Sequence, residues 1–389
     1  MTEKVPSIAA EYSSDRLRMA RLAVVGYFLV TGALLANWVS RIPVVQAQMG
    51  LDKAQLGLVL LGLSAGVLSA LPLAGWLISR FGSRRVTIWA AFVSCAALPP
   101  IALAQTPAVL WVALFFLGAT TSLLDVAMNA QAITIERGYR RSIISSFHAA
   151  FSIGGVIGAT IASVTVSAGI STFVHFAIVS VGALLVSIWG IRYLIPEPPS
   201  GAHSGGVFRL PPRILWMLGF VVFCAALGEG SLADWSGVYL ESVVGTSAAV
   251  AALGFGAFSL TMTLGRFFGD WLAARVDKVL MVRTGGLIAM GGLMLAILVP
   301  TVPTALLGFT LVGAGLSVAI PLAYSAAANM PGVEPGSAIA AVASIGYSAF
   351  IAGPPIIGFL AESTSLGLSL TIVAFLVGSL SITARTMRR

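Results

Sequence analysis

Apolar residues run along this chain in long, nearly uninterrupted blocks, and polar residues collect between them. Blocks of about 20 residues or more are long enough to cross about 30 Å of hydrocarbon as helices. The pattern predicts twelve spans, at 20–42, 54–79, 86–105, 107–136, 142–168, 171–195, 213–240, 246–274, 279–300, 303–330, 337–361 and 366–384. The short alternating segments that a membrane β-barrel needs do not occur. Turns such as Gln105-Thr106-Pro107 and Thr301-Val302-Pro303 are so short that the helices they join must run antiparallel and close together.

Composition agrees with the pattern. Hydrophobic residues make up 58% of the chain and charged residues 9%, against about 25% charged in soluble domains, and the mean hydropathy is +0.98. The expected fold class is an all-α integral membrane protein. Cys95 and Cys224 lie far apart inside apolar runs and read as small hydrophobes. With His148, His175 and His203 the only histidines, no metal site and no cofactor are expected. The first residues, MTEKVPSIAAEYSSDRLRMAR, lack an apolar core, so the first span is expected to serve as an uncleaved anchor rather than a removed signal.

The net charge of +8 could suggest a nucleic-acid partner, but its distribution argues otherwise. With both termini placed in the cytoplasm, all of the 22 basic residues except Arg41, Lys53 and Arg266 fall on inner segments. That is the asymmetry expected of a multi-pass protein of the cytoplasmic, or inner, membrane. The basic excess then serves topology and lipid headgroup contact.

The Pro-, Gly- and Ser-rich stretch EPPSGAHSGGVFRLPPR divides the spans into two sets of six. The expected organisation is an N-terminal tail at 1–19, a six-helix bundle at 20–195, a cytoplasmic linker at 196–212, a second six-helix bundle at 213–384 and a tail at 385–389. The two sets repeat one another. GWLISRFGSRR and DWLAARVDKVL align Trp76 with Trp271 and Arg80 with Arg275; Asn37-Trp38 matches Asp234-Trp235, and Gly118-Ala119 matches Gly313-Ala314. Such symmetry is characteristic of secondary transporters with a central site between repeats.

Twelve spans, a central linker and the loop after span two together resemble the major facilitator superfamily (MFS). The family loop pattern is Gly-x-Leu-x-Asp-Arg-x-Gly-Arg-Arg, and this chain keeps Gly75, Leu77, Arg80, Gly82, Arg84 and Arg85. Ser79 stands where the family has its acid, so the charge-paired cytoplasmic latch which the resemblance implies would lack its usual partner. The second half keeps Leu272 and Arg275, with Asp277 at the second glycine. Asp-x-x-x-Asn in span four and Gly353-Pro354-Pro355 in span eleven look like a bacterial subgroup related to fucose-permease-type carriers. The antiporter glycine-proline motif of span five is absent from GGVIGA. The resemblance implies two pseudo-symmetric bundles that rock about a central site.

Charged groups inside apolar spans are the candidates for chemistry, because hydrocarbon tolerates them only beside a partner or a watery cavity. Asp125 lies about 27 Å of helix from the outer end of span four, and Asn129 sits one turn on. Asp125 is read as a proton-coupling carboxylate, or else as one permanently paired. Glu229 and Asp234 lie in AALGEGSLADWSG, whose glycines could loosen the helix; Glu229 is the second coupling candidate and Asp234 a substrate or vestibule group. Asn37, Trp38 and Arg41 end span one. Arg41 could bind an anion, pair with Asp234 to close the outer gate, or snorkel to headgroups, and Trp38 and Trp235 could stack on a ligand or anchor at the interface. His148, Tyr324 and Tyr347 are further cavity candidates beside Asn129. A gating role is expected for Ser79, Arg80, Arg84, Arg85 and Arg275, for Glu136 as a substitute partner of the loop arginines, and for Arg266 with Asp270 as an intrahelical ion pair.

No nucleotide-binding loop or nucleophile elbow occurs, so an enzyme is not expected. The leading reading is a monomeric, proton-coupled secondary carrier for a small polar solute, a sugar or an organic acid, with protons and lipids as its other partners. Efflux of amphipathic compounds, and a non-transporting substrate sensor, are the rival readings.

Overall fold

The computed structural model describes residues 12–139, 143–196, 213–330, 333 and 335–388, without the side chains of 145, 213, 270, 335, 336, 340 and 388. The basic exit Arg140-Arg141, nearly all of the expected linker and residues 1–11 lie outside the described residues.

Among the described residues twelve helical spans are long and apolar enough to cross a membrane. The first six are α1 (Ser14–Met49), α2 (Lys53–Phe81), α3 (Ser83–Ala97), α4 (Pro107–Tyr139), α5 (Ile144–Ser167) and α6 (Thr172–Ile191). The second six are α7 (Arg213–Ser242), α8 (Gly254–Ala273), α9 (Lys278–Leu298), α10 (Val302–Ala328, in two pieces), α11 (Pro335–Ser363) and α12 (Leu366–Gly378). They form two pseudo-symmetric six-helix bundles. Outward-facing side chains such as Trp89, 71% exposed, and Leu185, 63% exposed, are apolar, as a lipid-facing surface requires.

Local chemistry sets the ends. Asp52 caps α2 through a capping box with Gln55, satisfying donors that the first turn leaves unpaired. Gly82 breaks α2 from α3 at φ 79°, a backbone region open to glycine. The third span is helical only to Ala97 and then tightens to a 3-10 turn over Pro99–Leu103, because two successive prolines lack the N–H that an α-helix needs. Helix α1 passes through Pro43 and runs to Met49, beyond its expected end.

The tenth span is divided into α10a (Val302–Leu316) and α10b (Ala319–Ala328). Pro321 has no N–H to offer the Ser317 carbonyl four residues back, so the ladder opens there. The loosened helix expected in span seven is absent: α7 is continuous through Gly228 and Gly230. Those glycines make room for neighbours instead, Gly228 for Leu316 and Val377, and Gly230 for Phe350.

Helices in lipid gain nothing by hiding apolar surface from one another, so small residues that permit close contact hold them. A Cβ on Gly66 would meet the Phe115 carbonyl, and one on Gly118 the Leu63 carbonyl, where α2 and α4 touch. In the second half Gly313 lies against the Phe258 carbonyl in the same way, and Gly118 and Gly313 are the glycines that the internal repeat aligns.

Between the halves, contact concentrates at the ends remote from the termini. There Ser40 Oγ donates to the Ala252 carbonyl at 3.0 Å and the Lys53 amide to Glu362 Oε2 at 3.0 Å. Gly57 fits under the Pro354 backbone, and Gly237 lies beneath Pro43. Basic groups at the other ends bond within their own half: Arg16 donates to the Arg192 and Leu194 carbonyls, Arg84 to Ile191 and Arg283 to Ser381. One apolar core joins both halves, and a second, around Leu17, Val24, Leu124, Ile135 and Phe147, is confined to the first half near its termini-side end. The molecule is closed at one face and open toward the face that bears the termini.

Gly66→Ala places a methyl group against the Phe115 backbone, so its thermal unfolding in detergent should show a loss of ~2 kcal/mol or more. Gly75→Ala, whose Cβ meets nothing, should leave stability unchanged; equal behaviour of the two variants would dismiss close packing as the cause.

Candidate functional site

Asp125 occupies the middle of α4 yet is exposed. A carboxylate at this depth that is also accessible has to face a watery space between helices, because hydrocarbon does not tolerate its charge. Asn129, one turn on, spends its amide on this residue: Nδ2 donates to the Asp125 carbonyl at 2.8 Å and to Oδ1 at 3.2 Å. No cation pairs with Asp125 among the described residues.

The second half brings the opposite wall. Tyr347 of α11 stands within electrostatic reach of Asp125, and Tyr324 of α10b within reach of both Tyr347 and Glu229. Tyr324 lies just past the break that Pro321 imposes, so the discontinuity of α10 sits beside the cavity. Glu229 of α7 binds Arg266 of α8, whose Nη2 lies 3.2 and 3.3 Å from the two carboxylate oxygens. That one nitrogen serves both oxygens, leaving Nε and Nη1 without a hydrogen-bond partner among the described residues. The pair is partly open, with side-chain exposures of 30% for Arg266 and 18% for Glu229. His148 of α5 packs edge-on against Phe28, their centroids 5.3 Å apart, and lies within electrostatic reach of Arg266. Asp125, Asn129, His148, Glu229, Tyr324 and Tyr347 thus gather around one space between the halves.

Arg266 was expected to pair with Asp270 at the inner gate. The side chain of Asp270 lies outside the described residues, and Arg266 is committed to Glu229 across the α7–α8 contact. In the sequence the i, i+4 spacing made Asp270 the obvious partner. The depth of an arginine about 18 Å into its helix was the overlooked signal.

Asn37, Trp38 and Arg41 do not join this cavity. Arg41 is 3% exposed; Nε donates to His175 Nδ1 at 3.0 Å and Nη2 to Thr165 Oγ1 at 3.4 Å and the Ile170 carbonyl at 2.9 Å. Because His175 Nδ1 accepts, Nε2 carries the proton and donates to Asn37 Oδ1 at 2.6 Å. Arg41 therefore neither pairs with Asp234 nor snorkels, since burial against α5 and α6 supplies its acceptors. Trp38 and Trp235 are both fully buried, each with an unpaired indole N–H, so neither anchors at the lipid interface. Asp234 is half-buried beside Trp235.

At the termini-side ends, Glu136 accepts from the Ile143 and Ile144 amides at 2.7 and 3.0 Å. It neutralises the start of α5, a favourable place for an anion, and does not pair with Arg80, Arg84 or Arg85. Arg80 lies over the Trp76 ring at 5.5 Å, and its repeat mate Arg275 over Trp271 at 4.2 Å. Ser79 donates to the Trp76 carbonyl, and Arg85 is exposed. Among the described residues no group of three or more His, Cys, Asp or Glu could hold a metal ion.

Residues 23–354 match the model of the Major Facilitator Superfamily. The chain is similar to an uncharacterized MFS-type transporter of Yersinia pestis, 33% identical over 389 residues and covering 100% of both chains. It is more distantly similar to the cis,cis-muconate transport protein of Acinetobacter baylyi, 23% identical over 382 residues, 89% of this chain and 88% of that one. Its fold is similar to that of a bacterial homolog of the human lysosomal transporter Spinster in an inward-facing and occupied conformation, with a TM-score of 0.78 at 13% identity over 97% of this chain and 98% of that one. The nucleoside transporter NupG gives a TM-score of 0.71 at 12% identity over 95% and 99%.

Replacing His175 with Leu strands the Arg41 guanidinium and the Asn37 carbonyl in the interior, so stability should fall by about 2 kcal/mol. Solute affinity should not change, because the cluster lies off the cavity. Thermal unfolding and solute binding measured on the same preparation check both halves of this expectation.

Proposed function

The chain belongs to the Major Facilitator Superfamily, and from that premise we propose that it works as a proton-coupled secondary carrier for a small polar solute, a sugar or an organic acid. One observation carries this reading: Asp125 is an acid deep in the membrane-spanning region, reachable from the cavity and without a cation to hold its charge. Such a group can take a proton on one side of the membrane and give it up on the other. The cavity chemistry, amide, phenol, imidazole and an open ion pair, suits a polar cargo. That a relative is named a cis,cis-muconate transport protein supports an organic acid within that class.

Transport proceeds by alternating access. The closed contacts at Ser40–Ala252, Lys53–Glu362 and Gly57–Pro354 open as the opposite ends close, exchanging the face to which the cavity is exposed. Solute and proton drive the exchange only in so far as they bind the two arrangements differently. Protonation of Asp125 supplies such a difference, because a neutral carboxyl tolerates a sealed cavity at far lower cost than a charged one. The carrier acts as a monomer in the cytoplasmic membrane with both termini inside, as the basic asymmetry of the loops favours. Arg80 and Arg275, stacked on exposed tryptophans at the open end, belong to the surface that must close.

Asp125→Asn should abolish uptake driven by an imposed pH gradient in proteoliposomes while sparing solute exchange between equilibrated compartments. Gradient-driven accumulation at the wild-type rate in that variant would remove Asp125 from coupling. Arg80→Ala should slow turnover without weakening solute affinity; an unchanged turnover number would take the loop out of the closing surface.

A further inference from the structure

We infer that the cargo is an organic anion whose carboxylate replaces Glu229 on Arg266, with Glu229 taking up a proton as it is displaced. The inference rests on the carrier reading and names the substrate class of its site. Three observations lead to it. Arg266 is a cation in a cavity where the other charged groups are acids. It is held by a single nitrogen, with Nε and Nη1 unspent. It is also partly open to the cavity. A guanidinium presents its donors in a planar fork that matches a carboxylate through two nitrogens, so the resting pair with Glu229 uses less than the group can offer.

Charge balance decides what must accompany binding. At rest, Arg266 and Glu229 sum to zero. A carboxylate entering beside an ionised Glu229 would leave a net negative charge in the low-dielectric cavity, at a cost of several kcal/mol. If Glu229 leaves the guanidinium protonated, the site is again neutral: the ion pair, the anion and a proton become the Arg266–substrate pair and a neutral carboxylic acid. No covalent bond other than the new O–H is made, and the proton comes from the open face with the solute. Binding and protonation are therefore linked at Glu229 itself.

The surroundings of Glu229 permit this exchange. Arg266 faces it from α8 and Tyr324 from α10b, with Tyr347 of α11 next to Tyr324 and His148 of α5 near Arg266. Helix α1 carries Arg41 at its closed end and Tyr27, whose hydroxyl donates to the Ser187 carbonyl of its own half; α10a and α12 carry no titratable residue, and Arg385 lies beyond α12 near the C-terminus. Tyr324 is placed to accept or donate a hydrogen bond once the carboxyl group turns away from the guanidinium.

The test is calorimetric titration of the full chain in detergent at about pH 7, in PIPES and in Tris, whose different ionisation enthalpies report proton uptake. The probes are succinate, benzoate and gluconate, against succinamide, benzamide and glucose. At least one acid should bind with proton uptake while its neutral counterpart does not bind. Glu229→Gln should bind that acid about tenfold more tightly and without proton uptake. The paired variant Arg266→Gln with Glu229→Gln, which leaves no charge stranded and so should fold, should bind it roughly 10–100-fold more weakly than Glu229→Gln alone. Binding of none of the acids, binding without proton uptake in the wild type, or an undiminished affinity in the paired variant each overturns the inference. If glucose then proves to be taken up by a pH gradient through Asp125, the carrier reading stands and only the anion is lost. If no gradient-driven uptake of any probe occurs, both fall.

Discussion

Hydrocarbon offers no hydrogen bonds, and that absence governs where every polar group of this molecule sits. Five ionisable groups illustrate it. Arg41 is enclosed by His175, Thr165 and a backbone carbonyl. Glu229 and Arg266 satisfy each other across two helices. Asp125 leans on Asn129 and an open cavity, and Asp234 stays half-buried near the sealed face. Asp125 and Arg266 keep unspent capacity on the cavity side. A polar group enclosed by partners holds the bundle together, and one that is partly satisfied at the cavity remains available to a solute.

The same solvent explains why glycine carries so much of the helix packing. With no gain from hiding apolar surface, cohesion comes from close contact, and Gly66, Gly118 and Gly313 bring backbones together at equivalent places in the two halves. The repeat is physical as well as textual. Arg80 on Trp76 and Arg275 on Trp271 are the same stacked pair built twice, and Trp38 and Trp235 are the same buried indole. The halves nevertheless differ in chemistry: the exposed acid and its amide lie in the first, and the ion pair and the broken helix in the second. Functional asymmetry on a symmetric frame gives the cavity two unlike walls.

Much of the fold was legible because a span is a long local signal. Residues 107–136 read as one helix, and the helix runs Pro107–Tyr139. Asp125, Asn129, Glu229, His148, Tyr324 and Tyr347 were singled out because polar side chains at mid-depth have few other uses. What could not be read was pairing. Arg266 meets a residue 37 positions away and Arg41 one 134 away, whereas sequence reasoning reached for Asp270 at i+4 and for Asp234 at the outer gate. Backbone breaks were misjudged for another reason. Gly228 and Gly230 look flexible but are spaces filled by Leu316, Val377 and Phe350, while Pro321 removes a donor outright. A missing N–H is a stronger cause of a break than a missing side chain.

These pairings also decide which pieces can move together. The Arg41 cluster ties α1 to α5, to α6 and to the turn between them, and the α2–α4 contact through Gly66 and Gly118 is equally tight. Packed this way, the first half has few internal arrangements to choose between and is suited to move as one body. The contacts between halves combine single hydrogen bonds at the rim, Ser40 with Ala252 and Lys53 with Glu362, each worth about 1 kcal/mol net, with close backbone packing of Gly57 on Pro354. A carrier needs a half that keeps its own arrangement while the contacts between halves exchange, for an event at a central ion pair to be expressed at the faces.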